Sequence, residues 1–223
     1  MYVRKIILSV LPLFLLAPAF ALGADLGGVN ASEARRELIS VILEYIGLIS
    51  FPLGLLLMVV GAYKLKLLTE EGGKVGLSIP LITILAGAFT INFKALLSVF
   101  TNTYFKVDFC QIIDKSAAIS KSCFSTEMSG LTGDLQQRVS RLSNESTAQI
   151  FIDNLYTIVG IFQIIGFIYF LIGIYGLKEV ANGSAQNGYG KPITIMIASS
   201  LIVDLPHTIT TFVDTLAKVG INF

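Results

Sequence analysis

Residues 45–63, YIGLISFPLGLLLMVVGAY, contain no charged side chain, and they decide the fold class of this protein. Two further stretches, residues 75–93 and 154–177, are also free of charge. The three stretches hold 19, 19 and 24 residues. Because a helix needs about 20 apolar residues to cross a hydrocarbon core about 30 Å thick, each stretch is long enough to span a membrane.

The composition also indicates a membrane protein. Of the 223 residues, 54% are hydrophobic and 14% are charged, and the mean hydropathy is +0.76. A soluble domain has about 25% charged residues, so too little polar sequence remains to cover a buried core. The net charge of +1 is spread without long blocks of one sign. A nucleic-acid binder needs a basic surface, so we expect no sequence-specific nucleic-acid binding. The apolar composition leads us to expect contact with membrane lipid instead.

We predict four transmembrane helices in an all-α fold. Their predicted bounds are Ile39–Tyr63, Leu77–Phe100, Phe151–Leu177 and Pro192–Val213. The fourth is the weakest candidate, because it contains Asp204, Pro206 and His207.

Residues 1–23 have the pattern of a signal peptide. Arg4 and Lys5 precede an apolar run, and Ala19 and Ala21 provide small residues at the spacing that signal peptidase needs. A retained first helix is the alternative. Either reading leaves residue 30 outside the membrane, so that the chain after it crosses from outside to inside.

The short connections between helices are therefore expected on the cytoplasmic side. Their flanking lysines follow the positive-inside tendency; they are Lys64, Lys66 and Lys74 in the first connection and Lys178 and Lys191 in the second. Residues 104–150 then form an extracytoplasmic linker. Both cysteines, Cys110 and Cys123, lie in this linker, where an oxidising compartment permits a disulfide. We expect that disulfide, with two free thiols as the alternative.

The two halves of the sequence match each other when one is shifted by 112 positions. The pattern Gly-x-Tyr-x-Leu-Lys and the spacing Gly-x-x-x-Pro occur in the same register in both halves, which predicts an internal duplication. The identical pairs include Leu43 and Leu155, Ile46 and Ile158, Ile49 and Ile161, Gly54 and Gly166, Gly61 and Gly173, Tyr63 and Tyr175, Leu65 and Leu177, Gly76 and Gly188, Ala86 and Ala198, Phe100 and Phe212, and Thr103 and Thr215.

Each repeat predicts a helical hairpin, over residues 38–103 and 151–218. Lys66 and Lys178 follow the first helix of each repeat, and Pro80 and Pro192 lie near the start of the second. Proline is tolerated there because the first N–H groups of a helix have no partner within it.

The two hairpins are expected to have the same orientation and to be related by an axis along the membrane normal. The linker between them is expected to form a small helical cap on the outer membrane surface. It has an apolar-periodic part around the cysteines and a more polar helical part over residues 132–143.

Small residues recur at helical spacing within these helices. Gly47, Gly54 and Gly61 are seven residues apart, as are Gly166 and Gly173, so each set lies on one helix face. Small residues let helices approach closely in lipid. The glycine face either contacts other subunits of an assembly or packs within the four helices, and the second reading is at least as strong.

The intramembrane polar residues are the remaining candidates for chemistry. Asn92 and Asp204 are equivalent in the two repeats, with Lys94 and His207 nearby. Ionisable groups within a membrane span often mark ion or proton pathways, and Asp204 and His207 are three residues apart on one helix face. The structural alternative, which we favour, is a pair of Asp204 with Lys94 or His207 that links the hairpins.

An enzyme is not expected. One histidine and two cysteines do not make a common zinc site, and the sequence has neither a Gly-x-Ser-x-Gly elbow nor a P-loop. We therefore predict no catalytic residue, no cofactor and no metal ligand.

One family has a similar pattern. The order Gly173, Leu177-Lys178, a polar loop, Pro192 and Asp204-Leu205-Pro206 resembles small inner-membrane subunits of the Dot/Icm type IVB secretion and related conjugation systems, the IcmC/DotE, DotV and IcmD/DotP group. The first repeat keeps the pattern as far as Pro80 but has Asn92-Phe93-Lys94 at its end. The resemblance covers both hairpins and leaves the linker unmatched.

The resemblance implies a non-enzymatic subunit of a multi-subunit machine that exports protein or DNA. The chain would then be a multi-pass protein of the bacterial inner membrane, with its linker and C-terminus in the periplasm. Its partners would be other membrane subunits of the secretion complex or further copies of itself. Two alternatives stay open. One is a small proton- or ion-conducting subunit that uses Asp204 and His207, and the other is a pilin-like subunit.

Overall fold

The computed structural model describes residues 31–70, 76–107, 109–113, 116, 118, 145–184 and 188–220. Their helices, in chain order, are α1 (Ala31–Glu70), α2 (Ser78–Ile91), α3 (Phe93–Phe105), α4 (Glu145–Ala181), α5 (Gly190–Val203) and α6 (Leu205–Lys218). The all-α prediction is confirmed for this part of the chain. The predicted signal peptide, Cys123 and the predicted polar helix over residues 132–143 lie outside the described residues.

Two of the described helices are long and apolar enough to cross a membrane on their own. They are Glu33–Leu68 within α1 and Asn154–Ala181 within α4. At 1.5 Å per residue, the 40-residue α1 is about 60 Å long, which is twice the thickness of a hydrocarbon core. Its charged ends therefore extend beyond the apolar layer. The length and composition of these helices are those of a membrane protein.

The second and fourth predicted spans are each broken. α2 and α3 meet at Asn92 with a bend of 88°, and α5 and α6 meet at Asp204 with a bend of 95°. The structure thus has two candidate spans, or up to four if each bent pair counts as one span. The continuous helices expected over residues 77–100 and 192–213 are therefore wrong in this respect. Hydropathy could not reveal the bends, because it is indifferent to helix direction.

The glycine face of α1 packs against α2. A Cβ added at Gly61 would lie 2.9 Å from the Ile84 nitrogen, and one added at Gly54 would lie 2.6 Å from the Gly87 carbonyl oxygen. The two helices therefore run antiparallel in close backbone contact. Pro80 is buried in the first turn of α2. We call α1, α2 and α3 the first hairpin, and α4, α5 and α6 the second hairpin.

The second hairpin repeats this packing. A Cβ added at Gly173 would lie 3.1 Å from the Pro192 carbonyl oxygen, and one added at Gly166 would lie 3.1 Å from the Ser199 carbonyl oxygen. Pro192 is buried near the start of α5, as Pro80 is in α2.

The hairpins contact each other at both ends. Lys64 near the end of α1 donates a hydrogen bond to the Asn182 side-chain oxygen just after α4, at 2.7 Å. At the other end, the side chain of Ile39 packs against Gly160. Between these points lies a shared apolar core. Its most buried large side chains are Leu43, Leu97, Ile112, Ile113, Phe167, Phe170, Ile174 and Val203.

Helix α3 contributes one face to this core. Phe93, Leu97 and Thr101 are four residues apart along one side of the helix and are buried. The Phe93 ring packs edge-on against Phe167 of α4, with ring centroids 5.3 Å apart. The bend at Asn92 thus turns α3 across the second hairpin.

The apolar-periodic part of the linker is not helical where the structure describes it, whereas residues 104–105 end α3 and residues 145–150 begin α4. Residues 109–113, which belong to its apolar-periodic part, are not helical. Ile112 and Ile113 are 1% and 0% exposed, so this segment is buried in the core rather than placed on the membrane surface. Two of its backbone groups, the Cys110 carbonyl and the Ile112 N–H, bond to the Gln163 side chain of α4. We call residues 109–113 the buried linker segment.

Candidate functional site

The bend at Asp204 keeps its backbone hydrogen bonds. The Asp204 N–H donates to the Ser200 carbonyl and completes α5, while the Asp204 carbonyl accepts from the Thr208 N–H and begins α6. Pro206 follows in the first turn of α6. Since proline has no N–H and its ring clashes with the carbonyl four residues earlier, α5 cannot continue through it in a straight line. The chain therefore turns without leaving the backbone of Asp204 unpaired.

A threonine missed by the sequence analysis spans this bend. The Thr208 hydroxyl lies 2.7 Å from the Leu201 carbonyl oxygen in α5 and 2.9 Å from the Asp204 carbonyl oxygen. Helix α5 is thus tied to the first turn of α6 on the inner side of the bend. The position of this hydroxyl, four residues after Asp204, was the one sign of a contact across the bend. It was not decisive, because a threonine in a helix usually bonds only within that helix.

Asp204 and His207 form a buried pair at the bend. His207 Nδ1 and Asp204 Oδ1 are 2.5 Å apart, and each residue is 6% exposed. The Phe105 ring, at the end of α3, stacks on the His207 ring with centroids 5.8 Å apart. Asp204 Oδ2 and His207 Nε2 have no hydrogen-bond partner in the described part of the chain. Two polar atoms are therefore buried without compensation at one point, which is costly in a low-dielectric environment.

The predicted link between the hairpins takes a different form. Asp204 bonds to His207, which lies in the same helical turn, so this pair does not itself join the two hairpins. Contact between them at this point comes from Phe105, an apolar ring of the first hairpin. Asp204 thus pairs with His207, which is one of its two expected partners. The pair does not link the two hairpins, as had been expected of it.

Lys94 bonds to the buried linker segment. Its Nζ donates to the Gln111 Oε1 atom at 3.0 Å, and Gln111 Nε2 donates to the Ile113 carbonyl oxygen at 2.9 Å. The side chain of Lys94 is partly buried. Asn92, which lies 112 residues before Asp204 at the other bend, is exposed and provides no side-chain cap there. The polar residues of the two hairpins are therefore used differently.

Gln163 holds the buried linker segment from the other side. It is 1% exposed, its Nε2 donates to the Cys110 carbonyl oxygen at 2.9 Å, and its Oε1 accepts from the Ile112 N–H at 3.2 Å. No sequence motif indicated this residue, although it is the one long amide side chain between Asn154 and Leu177. A lone amide in an apolar span is a signal for a buried hydrogen bond.

The remaining predicted residues have structural positions. Gly54, Gly61, Gly166 and Gly173 pack within the hairpins, whereas a Cβ added at Gly47 would meet only the Lys94 side chain, at 3.8 Å. Lys66 forms an exposed ion pair with Glu70. Lys178 lies over the Tyr175 ring at 4.3 Å and is 3.7 Å from Glu179.

The disulfide prediction is only partly within the described residues. Cys110 is disulfide-bonded. Its expected partner, Cys123, lies outside the described residues, so the pairing of the two stays a prediction.

Comparison with known proteins gives no relative. No family model, curated protein or solved structure matches this chain. In the described part of the chain, no group of three or more His, Cys, Asp or Glu side chains could hold a metal ion. The similarity to secretion-system subunits therefore rests on the residue pattern alone.

Proposed function

We propose that this chain is a non-enzymatic structural subunit of a bacterial inner-membrane secretion machine of the type IVB or conjugation kind. Its two hairpins would be copies of one unit in the same orientation. The linker and the C-terminus would lie in the periplasm, and the short connections in the cytoplasm. The partners would be other subunits of the machine or further copies of this chain.

One observation carries the structural role. Apart from Arg36 Nε in the first turns of α1, the buried side-chain polar atoms without a partner in the described residues are Asp204 Oδ2 and His207 Nε2, which lie together at a single depth. A conduction path needs several polar groups along the span. The other buried polar groups bond within the chain; Ser50, Thr83 and Thr90, for example, donate to carbonyls of their own helices. This favours a scaffold over a pathway.

The packing supports two copies of one unit. Gly61 against α2 and Gly173 against α5 make corresponding contacts 112 positions apart, and the bends at Asn92 and Asp204 are separated by the same interval. The contacts Lys64–Asn182 and Ile39–Gly160 bring like ends of α1 and α4 together, as expected for parallel copies.

The test is recovery of the native complex. We expect an affinity-tagged chain, extracted from its own bacterial membrane in a mild detergent, to co-purify with large membrane partners encoded by neighbouring genes. A chain that purifies as a monomer from the same membrane and conducts ions in liposomes contradicts the proposal.

A proton- or ion-conducting subunit is the second candidate, favoured by the unpartnered Asp204 Oδ2 and His207 Nε2 atoms. Asp204→Asn separates the two functions, because amide and carboxylate have the same shape but only the carboxylate can carry a proton. Asn92→Ala, at the equivalent bend, is the control. Lost transport with an intact complex supports the pathway, whereas a lost complex supports the scaffold.

A further inference from the structure

Helix α6 is amphipathic along its whole length. Leu205, Ile209, Phe212 and Leu216, with Val219 directly after the helix, follow one another at intervals of four and three residues, which places them on one side. We call these five residues the apolar stripe. His207, Asp214 and Lys218 lie together on another side of the helix, because the second and third follow the first by seven and eleven residues.

The apolar stripe is open over most of α6. Phe212 is 64% exposed and Val219 is 74% exposed. The corresponding helix of the first hairpin, α3, instead buries Phe93 and Leu97 in the core. At Ile209, Phe212 and Val219 the stripe is therefore an apolar surface that the described part of the chain leaves exposed.

The length of α5 sets the depth of this surface. Lys191 is exposed in the first turn of α5, so this end lies at a membrane boundary. The 14 residues of α5 rise about 21 Å, which is about 9 Å less than a hydrocarbon core of about 30 Å. After the 95° bend, α6 runs across the direction of α5 at that depth. Amphipathic helices lie with their apolar side about 5–10 Å into the boundary between headgroups and acyl chains.

The side of α6 that carries the apolar stripe also agrees with a position at the membrane boundary. Thr208 bonds back to the Leu201 carbonyl oxygen, so its side of α6 faces the inside of the bend. Phe212 and Val219, four and eleven residues later, lie on that side. Ala217, nine residues after Thr208, lies on the opposite side. The stripe thus turns toward the hydrocarbon and away from water.

We propose that α6 is an interfacial membrane anchor whose apolar stripe inserts between phospholipid headgroups and acyl chains, in the leaflet far from the short connections. Its occupant is lipid rather than a second protein surface. This role depends on the chain being embedded in a membrane and is independent of the machine to which it belongs.

Single tryptophans test the anchor, because the chain contains no tryptophan of its own. Three variants of the full chain are placed in phosphatidylcholine vesicles. Phe212→Trp reports on the stripe, Ala217→Trp on the opposite side of α6, and Val59→Trp on a spanning helix. All three positions are exposed in the protein, so the substitutions leave the core intact. Quenching is measured with acrylamide in the water and with brominated acyl chains in the lipid.

We expect acrylamide to quench Phe212→Trp about threefold less than Ala217→Trp, because a stripe inserted below the headgroups is shielded from water. Bromines near the headgroup end of the acyl chain should quench Phe212→Trp most strongly, and bromines deeper in the chain should quench Val59→Trp. Leu216→Trp repeats the measurement one turn later, so that local damage at residue 212 does not decide the result.

Equal acrylamide quenching of Phe212→Trp and Ala217→Trp overturns the proposal. Dilution of the protein into excess lipid provides the second arm. If quenching of Phe212→Trp by brominated lipid increases on dilution, the stripe is covered by a second copy of the chain and the proposal is wrong. If quenching is independent of protein density, lipid is the occupant.

Discussion

The two bends use almost the same backbone and different side chains. Asn92 has φ −109° and ψ 34°, and Asp204 has φ −106° and ψ 55°. Asn92 is exposed, and its neighbour Lys94 bonds to the buried linker segment. Asp204 is buried and bonds to His207 within its own turn. The bend is therefore a property of the backbone path, since a neutral exposed amide and a buried carboxylate both accommodate it.

The closest backbone approach between two helices, at Gly54, gives the largest expected difference between the two hairpins. In the first hairpin, a Cβ at Gly54 would lie 2.6 Å from the Gly87 carbonyl oxygen, so backbone would have to move. We expect Gly54→Ala to lower the free energy of unfolding in detergent by about 3 kcal/mol. Gly166→Ala, where the nearest backbone atom is 3.1 Å away, should cost less.

Gly47→Ala is the matched control, because only the Lys94 side chain lies near it, at 3.8 Å. It should be neutral or stabilising, since alanine favours a helix over glycine by up to about 1 kcal/mol. Equal losses at Gly54 and Gly47 would contradict the close backbone contact.

Release of the buried linker segment should be the next largest effect. Gln163→Leu removes the partners of the Cys110 carbonyl and the Ile112 N–H, which costs about 2–3 kcal/mol when both groups are buried. Hydrogen exchange of residues 109–113 should rise in this variant. The equivalent residue of the first hairpin, Phe51, is exposed, so Phe51→Leu should leave that exchange unchanged. Unchanged exchange in Gln163→Leu would argue against the anchoring of the segment.

The polar pair should show the asymmetry of the bends directly. Asp204→Ala leaves His207 Nδ1 buried without a partner, and we expect a loss of about 2 kcal/mol in unfolding free energy. Asn92→Ala at the exposed bend should stay within about 0.5 kcal/mol of the parent. Thermal unfolding in a mild detergent compares the two, and similar losses would mean that the bends are equivalent in energy as well as in shape.

The smallest effect is expected at Lys94. Lys94→Met keeps the apolar stem and removes the bond to Gln111, which should cost about 1 kcal/mol. Lys66→Met removes an exposed ion pair with Glu70 and should change the unfolding free energy by less than about 0.5 kcal/mol. A larger loss of unfolding free energy for Lys66→Met than for Lys94→Met would contradict the structural role assigned to Lys94.

Local chemistry predicted part of this fold. Uninterrupted apolar stretches indicated α1 and α4, and Pro80 and Pro192 marked the starts of α2 and α5 because helix starts tolerate proline. Glycine spacing located the faces that pack within each hairpin.

The rest depends on the path of the chain in space. Pro206 hinted at one bend, but Lys94 occupies the same place in the first hairpin and gives no such signal. Gln163 becomes important only because residues 109–113 return to the core, and no pattern around Gln163 encodes that return. The apolar residues near the cysteines predicted a helix on the membrane surface, whereas residues 109–113 are non-helical and Ile112 and Ile113 are buried in the core.

The two hydrogen bonds of Gln163 also have a mechanical consequence. They fix the linker only four residues after Lys106, the residue that ends α3 in a left-handed conformation with φ 58°. A pulling force applied to the linker from outside the membrane would therefore act first on α4, because the Gln163 side chain of α4 bonds to two backbone groups of the linker. Only after that would the force reach α3. Ile113 is wedged beside Gly160 and Ile39, so the same force would be shared between α4 and α1.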